Sequence, residues 1–408
     1  MTEPDLGPDA AAIAAIARSF RQFADQVVAR LPLYRRLCDA AAGDPEVCAR
    51  LLLAAPDQRT PNLLLAAVHD LLLSGTDEVL ADWYPSIPGK SRSAEARSRP
   101  VAAGADDPWP YFRHLALNDP RVEQSIRTRS TQTNEVGRSA ILFPALFQAA
   151  SEAASAPRGG MRPLGLVEIG SSAGLNLQPG AYGYRYRVPR RGPVDEYTLT
   201  AVGPGSRLML DCDLRGELLP PLPDGPIDVA SAVGIDLHPL DLLAPTDARW
   251  LQACQWPEET DRFAQLQAAI ALAVHHPPTV ERGDAIDDLQ KHIDRVPPFA
   301  LPVVVSTWVL TYLPVDRQQA LLDLLDHIGA HRDVAMVFSE QPERVPGVPV
   351  PPRPDGLDDG RATALVRLEW CDGERTEVRL ADHHPHGRWM EWLDSAQARQ
   401  NPEDDPEP

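Results

Sequence analysis

The sequence predicts an α/β protein: a doubly wound, mostly parallel sheet with a helical region ahead of it and a small β insertion within it. Three observations carry this. Short apolar runs with β-branched residues, LGLVEI at 164–169, DVASAVGIDL at 228–237 and LPVVVST at 301–307, read as strands, the first of them buried on both faces. Stretches with apolar residues at steps of three and four separate them, which is the alternation of a parallel sheet. The first run closes on Gly170, Ser171, Ser172, Ala173 and Gly174, small residues that let the backbone turn sharply where such sheets bind ligands.

Bulk properties narrow the function. A length of 408 residues suffices for two cores, and 43% hydrophobic with 24% charged content is ordinary for a soluble globular chain. A net charge of −19 repels a phosphate backbone, and no dense Lys/Arg cluster interleaved with aromatics offsets it, so nucleic acid is not an expected partner. The cysteines at 38, 48, 212, 254 and 371 are too far apart for a CxxC metal site or a disulfide framework. The N-terminus, MTEPDLGPDAAA, is acidic where a signal peptide is basic, and no apolar run approaches the roughly 20 residues that cross a bilayer. A cytoplasmic protein without a membrane partner is expected, its oligomeric state left open. The 42 prolines predict stiff, numerous connections.

Residues 1–155 read as a helical domain. Ile13, Ile16, Phe20, Phe23, Val27 and Leu31 form one helical stripe, predicting a helix over 11–38. Asp44 before Pro45 reads as the N-cap of a helix to 55, and Thr60 with Pro61 starts another carrying Leu63 to Leu73. Residues 86–107 lack periodicity and read as a mobile surface loop. Helical pattern resumes over 110–118 and 120–154. Within it, TRSTQTNEVGRSA at 128–140 is oddly polar. It reads either as a solvated helix entrance or as Gln132, Asn134, Glu135 and Arg138 pointing into a cleft beside the sheet, with Glu135 and Arg138 on one helix face.

Residues 160–345 read as the sheet domain. Leu175 to Leu177 can start a helix after the small-residue turn, which would aim backbone N–H groups at an anionic ligand. Residues 178–226 form the β insertion, where Tyr182, Tyr184 and Tyr186 alternate as if packed on one strand face. Strands at 228–237, 279–284, 301–307 and 334–338 then alternate with helices at 262–274, 286–293 and 315–329. Residues 346–393 read as a C-terminal β-hairpin extension turning at Asp372-Gly373. Its end, DHHPHGRWMEW, reads as a surface turn packed by Trp389 and Trp392; His383, His384 and His386 have only Asp382 for company, so no metal is expected. Residues 394–408 read as a disordered acidic tail.

The ordered series EIGSSAG, VGIDLHPLD, RGDA and VVVSTWVLTYLP resembles the motifs of class I S-adenosylmethionine-dependent methyltransferases, a Rossmann-like family, over 164–342. The resemblance implies S-adenosylmethionine as cofactor, with the family's E/D-x-G-x-G-x-G turn at Glu168, Gly170, Ser172 and Gly174 and serine in place of the middle glycine. It implies that Asp236 holds the ribose hydroxyls, that Asp284 accepts from the adenine amino group, and that Ser306, Thr307, Trp308 and Tyr312 line the methyl-transfer site. Asp236 lies 66 residues beyond Gly170, where a dinucleotide fold places its ribose acid about 20 on; the insertion absorbs the excess. The whole chain, including TQTNEVGRSA and HPHGRWMEWL, also resembles a bacterial family defined only as a domain of unknown function.

The implied reaction is in-line transfer of a methyl group from a sulfonium to a small-molecule nucleophile, for which the protein's main task is positioning. Trp308 or Tyr312 would steady the sulfonium by a cation–π contact of about 0.5 to 2 kcal/mol. Glu135 is the candidate base, and Arg138 would orient an anionic substrate. Two other classes fit. One is a non-catalytic adenosyl-ligand-binding or scaffold protein, which Ser172 and the insertion favour. The other is a serine hydrolase whose elbow is GSSAG with Ser172 central, served by Asp284 or Asp241 and His331 or His384; its place after the first strand argues against it.

Overall fold

The computed structural model describes residues 8–76, 78–87, 107–155, 161–190, 195–202, 206–356 and 362–394; most of the expected mobile loop and the tail from 395 lie outside them. The chain divides into two compact units, residues 1–133 with 243–267 and residues 134–242 with 268–408.

The first unit is helical, and proline sets its helix starts. Helices Pro8–Gln26, Pro32–Ala41, Pro45–Arg50, Pro61–Leu73, Pro120–Thr128 and Pro245–Ala253 all begin with a residue whose missing N–H the first turn does not need. The stripe read as one helix over 11–38 is cut at 27–31. Pro32 cannot donate to the Val28 carbonyl, which accepts from the Leu31 amide instead at 2.8 Å. Asp44 caps as its sequence position predicts, accepting from the amides of Glu46 and Val47. Pro245–Ala253, which the sequence reading leaves as a connection, joins this unit through Arg249 on Asp70 and Trp250 Nε1 on the Ser130 carbonyl.

The second unit is built on one sheet of eleven described strands: β1 Leu164–Ile169, β2 Gly183–Val188, β3 Tyr197–Ala201, β4 Met209–Arg215, β5 Val229–Asp236, β6 Val280–Arg282, β7 Leu301–Thr307, β8 Val334–Glu340, β9 Thr363–Cys371, β10 Glu374–His383 and β11 Trp389–Trp392. The order across it is β3-β2-β4-β11-β10-β9-β8-β7-β1-β5-β6. Strands β6, β5, β1, β7 and β8 are all parallel. Counted among themselves, they run 3-2-1-4-5, the doubly wound order, and the winding reverses between β1 and β7. The crevice at the carboxyl ends of those two strands is therefore the place where this topology opens to a ligand.

The remaining strands extend this sheet. Asp372 and Gly373, with φ of 51° and 85°, form the predicted hairpin turn between β9 and β10. The segment read as a tryptophan-packed surface turn instead contains β11, which pairs with β10 on one side and β4 on the other. The 178–226 insertion and the C-terminal extension thus join edge to edge, because β11 supplies the ladder that β4 lacks. Tyr182, Tyr184 and Tyr186 are buried as expected, and Tyr184 stacks on Phe143 of the helix Ser139–Ser155 at 4.3 Å. That helix, read from sequence with the N-terminal domain, falls in the second unit. Val167, Ile169, Val304, Met336 and Phe338 form a core with residues of the helices Leu289–Arg295 and Val315–Gly329.

Candidate functional site

The turn after β1 takes a special backbone path. Gly170, Ser172 and Gly174 have φ of 61°, 56° and 74°, so every alternate residue is left-handed. Glycine enters that region freely, whereas a residue with a Cβ pays about 1–2 kcal/mol. The position where the methyltransferase pattern has its middle glycine is thus one whose geometry suits glycine, and this chain holds serine there.

No helix follows this turn. Leu175–Leu177 is a single 3₁₀ turn. A helix starting here would pair the Leu175 carbonyl with the amide of residue 179, but Pro179 has none, and the carbonyl accepts the Tyr182 hydroxyl at 2.8 Å instead. The turn's amides are also engaged by protein: Ser171 on the Ile235 carbonyl, Gly174 on the Ser171 carbonyl, and Leu175 on Asn134 Oδ1 at 2.9 Å. The expected helix-terminal anion cradle is therefore not formed.

The two strand-end acids stand on neighbouring strands. Asp236 ends β5, next to β1, and accepts from the amides of Ser172 and His238, each at 2.8 Å. Asp284 follows β6 and accepts from the amides of Ile286 and Asp287, with Arg317 at 2.6 Å. Burial opposes its ionisation, but those amides and Arg317 outweigh it and hold the carboxyl below its ordinary value. The Gly283 amide bonds the Asp236 carbonyl at 3.0 Å, tying the two strand ends together.

The polar stretch 128–140 is not the expected helix, and its part in the second unit, residues 134–140, crosses this edge of the sheet. It is extended up to Glu135 and then makes the 3₁₀ turn Val136–Arg138. Glu135 and Arg138 do not share a helix face; Glu135 accepts from the Gly137 amide at 3.4 Å. Asn134 and Ser139 fasten the stretch to the turn, Ser139 Oγ donating to Asn176 Oδ1 at 2.8 Å. Arg138 reaches across to β7, donating to the carbonyl and hydroxyl of Thr307 at 3.3 Å, and to the Pro385 carbonyl at 2.9 Å.

Strand register assembles the groups beneath it. Glu168 lies opposite Val305, two residues from Thr307, and Thr307 lies opposite Ser339, so all three side chains share one face. Ser339 Oγ is 3.0 Å from Nε2 of His383 on β10. Burial pushes the Glu168 carboxyl up to about 8, against the opposing pull of Asn176 and Arg138. Burial likewise raises Glu340, at the end of β8, to about 7, although the Leu310 and Val309 amides and Arg138 favour its charge. Burial lowers His383 to about 3 and keeps it neutral. His386, from the turn after β10, stands 3.2 Å from Glu135.

Among the described residues, Glu168 Oε2, Ser171 Oγ, Ser172 Oγ, Trp308 Nε1 and Glu340 Oε2 are buried polar atoms of this region without a hydrogen-bond partner. Such atoms are costly unless water or a ligand meets them. Trp308 has a φ of 58° and its indole lies under the Arg138 guanidinium, 5.9 Å from centre to ring. Ser306 pairs across from Ile169 and therefore projects from the opposite face to Thr307. Tyr312 is 81% exposed. Ser172 Oγ has no histidine on it among the described residues, and Asp284 is engaged by Arg317, so the hydrolase triad is not assembled. A cavity of about 360 Å3 lies behind the turn, lined by Leu177, Gln178, Ala232, His275, His276 and Thr279, midway along β5.

Sequence reasoning missed Glu340, His383 and His386 as members of this group. An acid closing VFSE and the HPHG turn were the available signals, but which strands they flank depends on long-range pairing. Among the described residues, no helix is long and apolar enough to cross a membrane. A family model described as "Uncharacterized protein conserved in bacteria (DUF2332)" matches residues 17–392. No curated protein matches the chain.

Proposed function

The chain belongs to the DUF2332 family of uncharacterized bacterial proteins, and from its geometry we propose that it is an S-adenosylmethionine-dependent methyltransferase acting on a small molecule. One observation carries the reading: residues 170, 172 and 174 all adopt the left-handed backbone that a G-x-G-x-G turn serves, and the acid of the next strand, Asp236, reaches that turn. The doubly wound order supports it, since ligands bind at the carboxyl ends of such strands. In this reading Asp236 exchanges the Ser172 and His238 amides for ribose hydroxyls, and Asp284 faces the adenine. Trp308 and Thr307 border the transferred methyl, and Glu135 takes the acceptor's proton. Arg138, bonded to Thr307 and Pro385, holds the edge together and fixes Trp308.

A second reading, an adenosyl-ligand sensor without turnover, is favoured by one specific contact. Asp236 holds the turn through the Ser172 amide and the next residues through the His238 amide, so a ribose that joins or replaces these bonds shifts the turn, which is a signal that needs no turnover. Isothermal titration with S-adenosylmethionine and S-adenosylhomocysteine tests both readings. Binding that Asp236→Asn weakens at least about tenfold supports the shared site; absence of binding by either compound removes both. Methyl release in a panel of small acceptors then separates enzyme from sensor.

A further inference from the structure

The helical unit has a cleft of its own. It measures about 520 Å3 and is lined by Arg121, Arg129 and Arg249 together with the hydroxyls of Ser74, Ser125, Thr128 and Thr246. Ala67 and Leu71 give it an apolar wall, and Asp70 is its acidic residue. The volume suits a small metabolite.

Each guanidinium is held in place by an aspartate. Arg249 donates to both oxygens of Asp70, at 2.7 and 3.4 Å. Arg121 donates to both of Asp119, at 3.0 and 2.6 Å. Arg129 reaches Asp247 at 2.6 Å and lies 5.8 Å from the Trp250 ring. These pairings occupy one edge of Arg121 and one of Arg249, and a single nitrogen of Arg129. Nη1 of the first two, and Nε and Nη2 of the third, have no hydrogen-bond partner among the described residues. The forks that would grip a planar carboxylate side-on are filled in Arg121 and Arg249. Those two keep their outer Nη hydrogens and Arg129 keeps its Nε–Nη2 edge, so with the hydroxyls the cleft holds more donors than the two oxygens of one carboxylate can meet, a surplus that suits the three oxygens of a phosphoryl group. Ser125 and Thr246 add hydroxyls for the rest of such a molecule.

The geometry points to this cleft as a binding site for a small phosphorylated molecule, seated by Arg121, Arg129 and Arg249. It stands apart from the adenosyl reading and does not depend on it. The aspartates offset the charge of the arginines, so oriented donors rather than net charge supply the affinity.

Calorimetric titration of the full chain at low salt with inorganic phosphate, glycerol 3-phosphate and succinate tests it. The expected result is saturable binding of a phosphoryl compound, with succinate weaker, and a loss of about tenfold or more in each of Arg129→Gln and Arg249→Gln. Tighter binding of the ester than of phosphate identifies an organic phosphate as the ligand; equal binding identifies the free ion. Because a glutamine variant strands its aspartate and can unfold the unit, Ser125→Tyr serves as a second probe that fills the cleft and leaves all three ion pairs intact. No binding by either phosphoryl compound, succinate binding as tightly as they do, or binding unchanged in Ser125→Tyr overturns the assignment.

Discussion

Gly137 and Gly387 cross backbone to backbone: a Cβ on Gly387 would overlap the Gly137 carbonyl, and one on Gly137 would overlap the carbonyl of His386. Two stretches about 250 residues apart in sequence, NEVGR and HPHGR, are thereby locked together, and the pair Glu135–His386 sits at the crossing. Gly387 also has a φ of 72°, so the crossing needs glycine on two counts.

Gly387→Ala is expected to cost about 3 kcal/mol or more, the sum of left-handed strain and backbone overlap. Gly225→Ala, where a Cβ meets nothing within 4 Å, is expected to stay within about 0.5 kcal/mol of the parent. Urea unfolding of both variants checks the contrast, and equal costs would refute the crossing.

Ser172→Gly is expected to raise stability by about 1 kcal/mol. It relieves a left-handed serine and removes a buried hydroxyl without a partner, gains that exceed the extra freedom glycine adds to the unfolded chain. If the adenosyl reading holds, the variant also keeps its ligand affinity. Chemical denaturation and titration on one preparation read both.

Stability is expected to fall as pH rises from about 6.5 towards 8; below 6.5 His383 and His69, which burial keeps neutral in the folded chain, pull the other way and offset the two glutamates. Glu168 has a folded-state pKa of about 8 against an ordinary 4.5. Between those values the folded chain keeps a proton that the unfolded chain has released, so each step up in pH favours unfolding, by at most about 1.4 kcal/mol per unit for one group. Above 8 both states are ionised and this contribution levels off. Glu340 adds in the same direction up to about 7. Glu168→Gln should flatten the slope measured by urea unfolding at several pH values; an unchanged slope would show that Glu168 ionises normally.

Arg138→Ala is expected to destabilise by about 3 kcal/mol, since it strips a buried cation from the neighbourhood of two buried carboxyls and vacates its bonds to Thr307 and Pro385. Measured near pH 9, where Glu168 is ionised, the cost should shrink by more than about 0.5 kcal/mol in the Glu168→Gln background, a coupling that a double-mutant cycle measures. Additive losses would mean that the two residues act independently.

The local alphabet of this protein was readable in advance. Apolar runs of the right length placed β1, β7 and β8, because a strand buried on both faces leaves a continuous hydrophobic signature whatever its partners, and a similar run placed β5 although only part of it is buried. Asp44 with Pro45, and Asp372 with Gly373, marked a helix start and a hairpin, since capping and left-handed turns depend on a few adjacent residues. Register and neighbours were not readable in this way. Pro179, which stops a helix after the turn, was a local signal left unused; that β11 would bridge β10 to β4, and that Glu168, Thr307, Ser339 and His383 would meet, follow from long-range pairing. There a shift of one residue sends every side chain to the other face, and nothing local to a strand says which neighbour it will find.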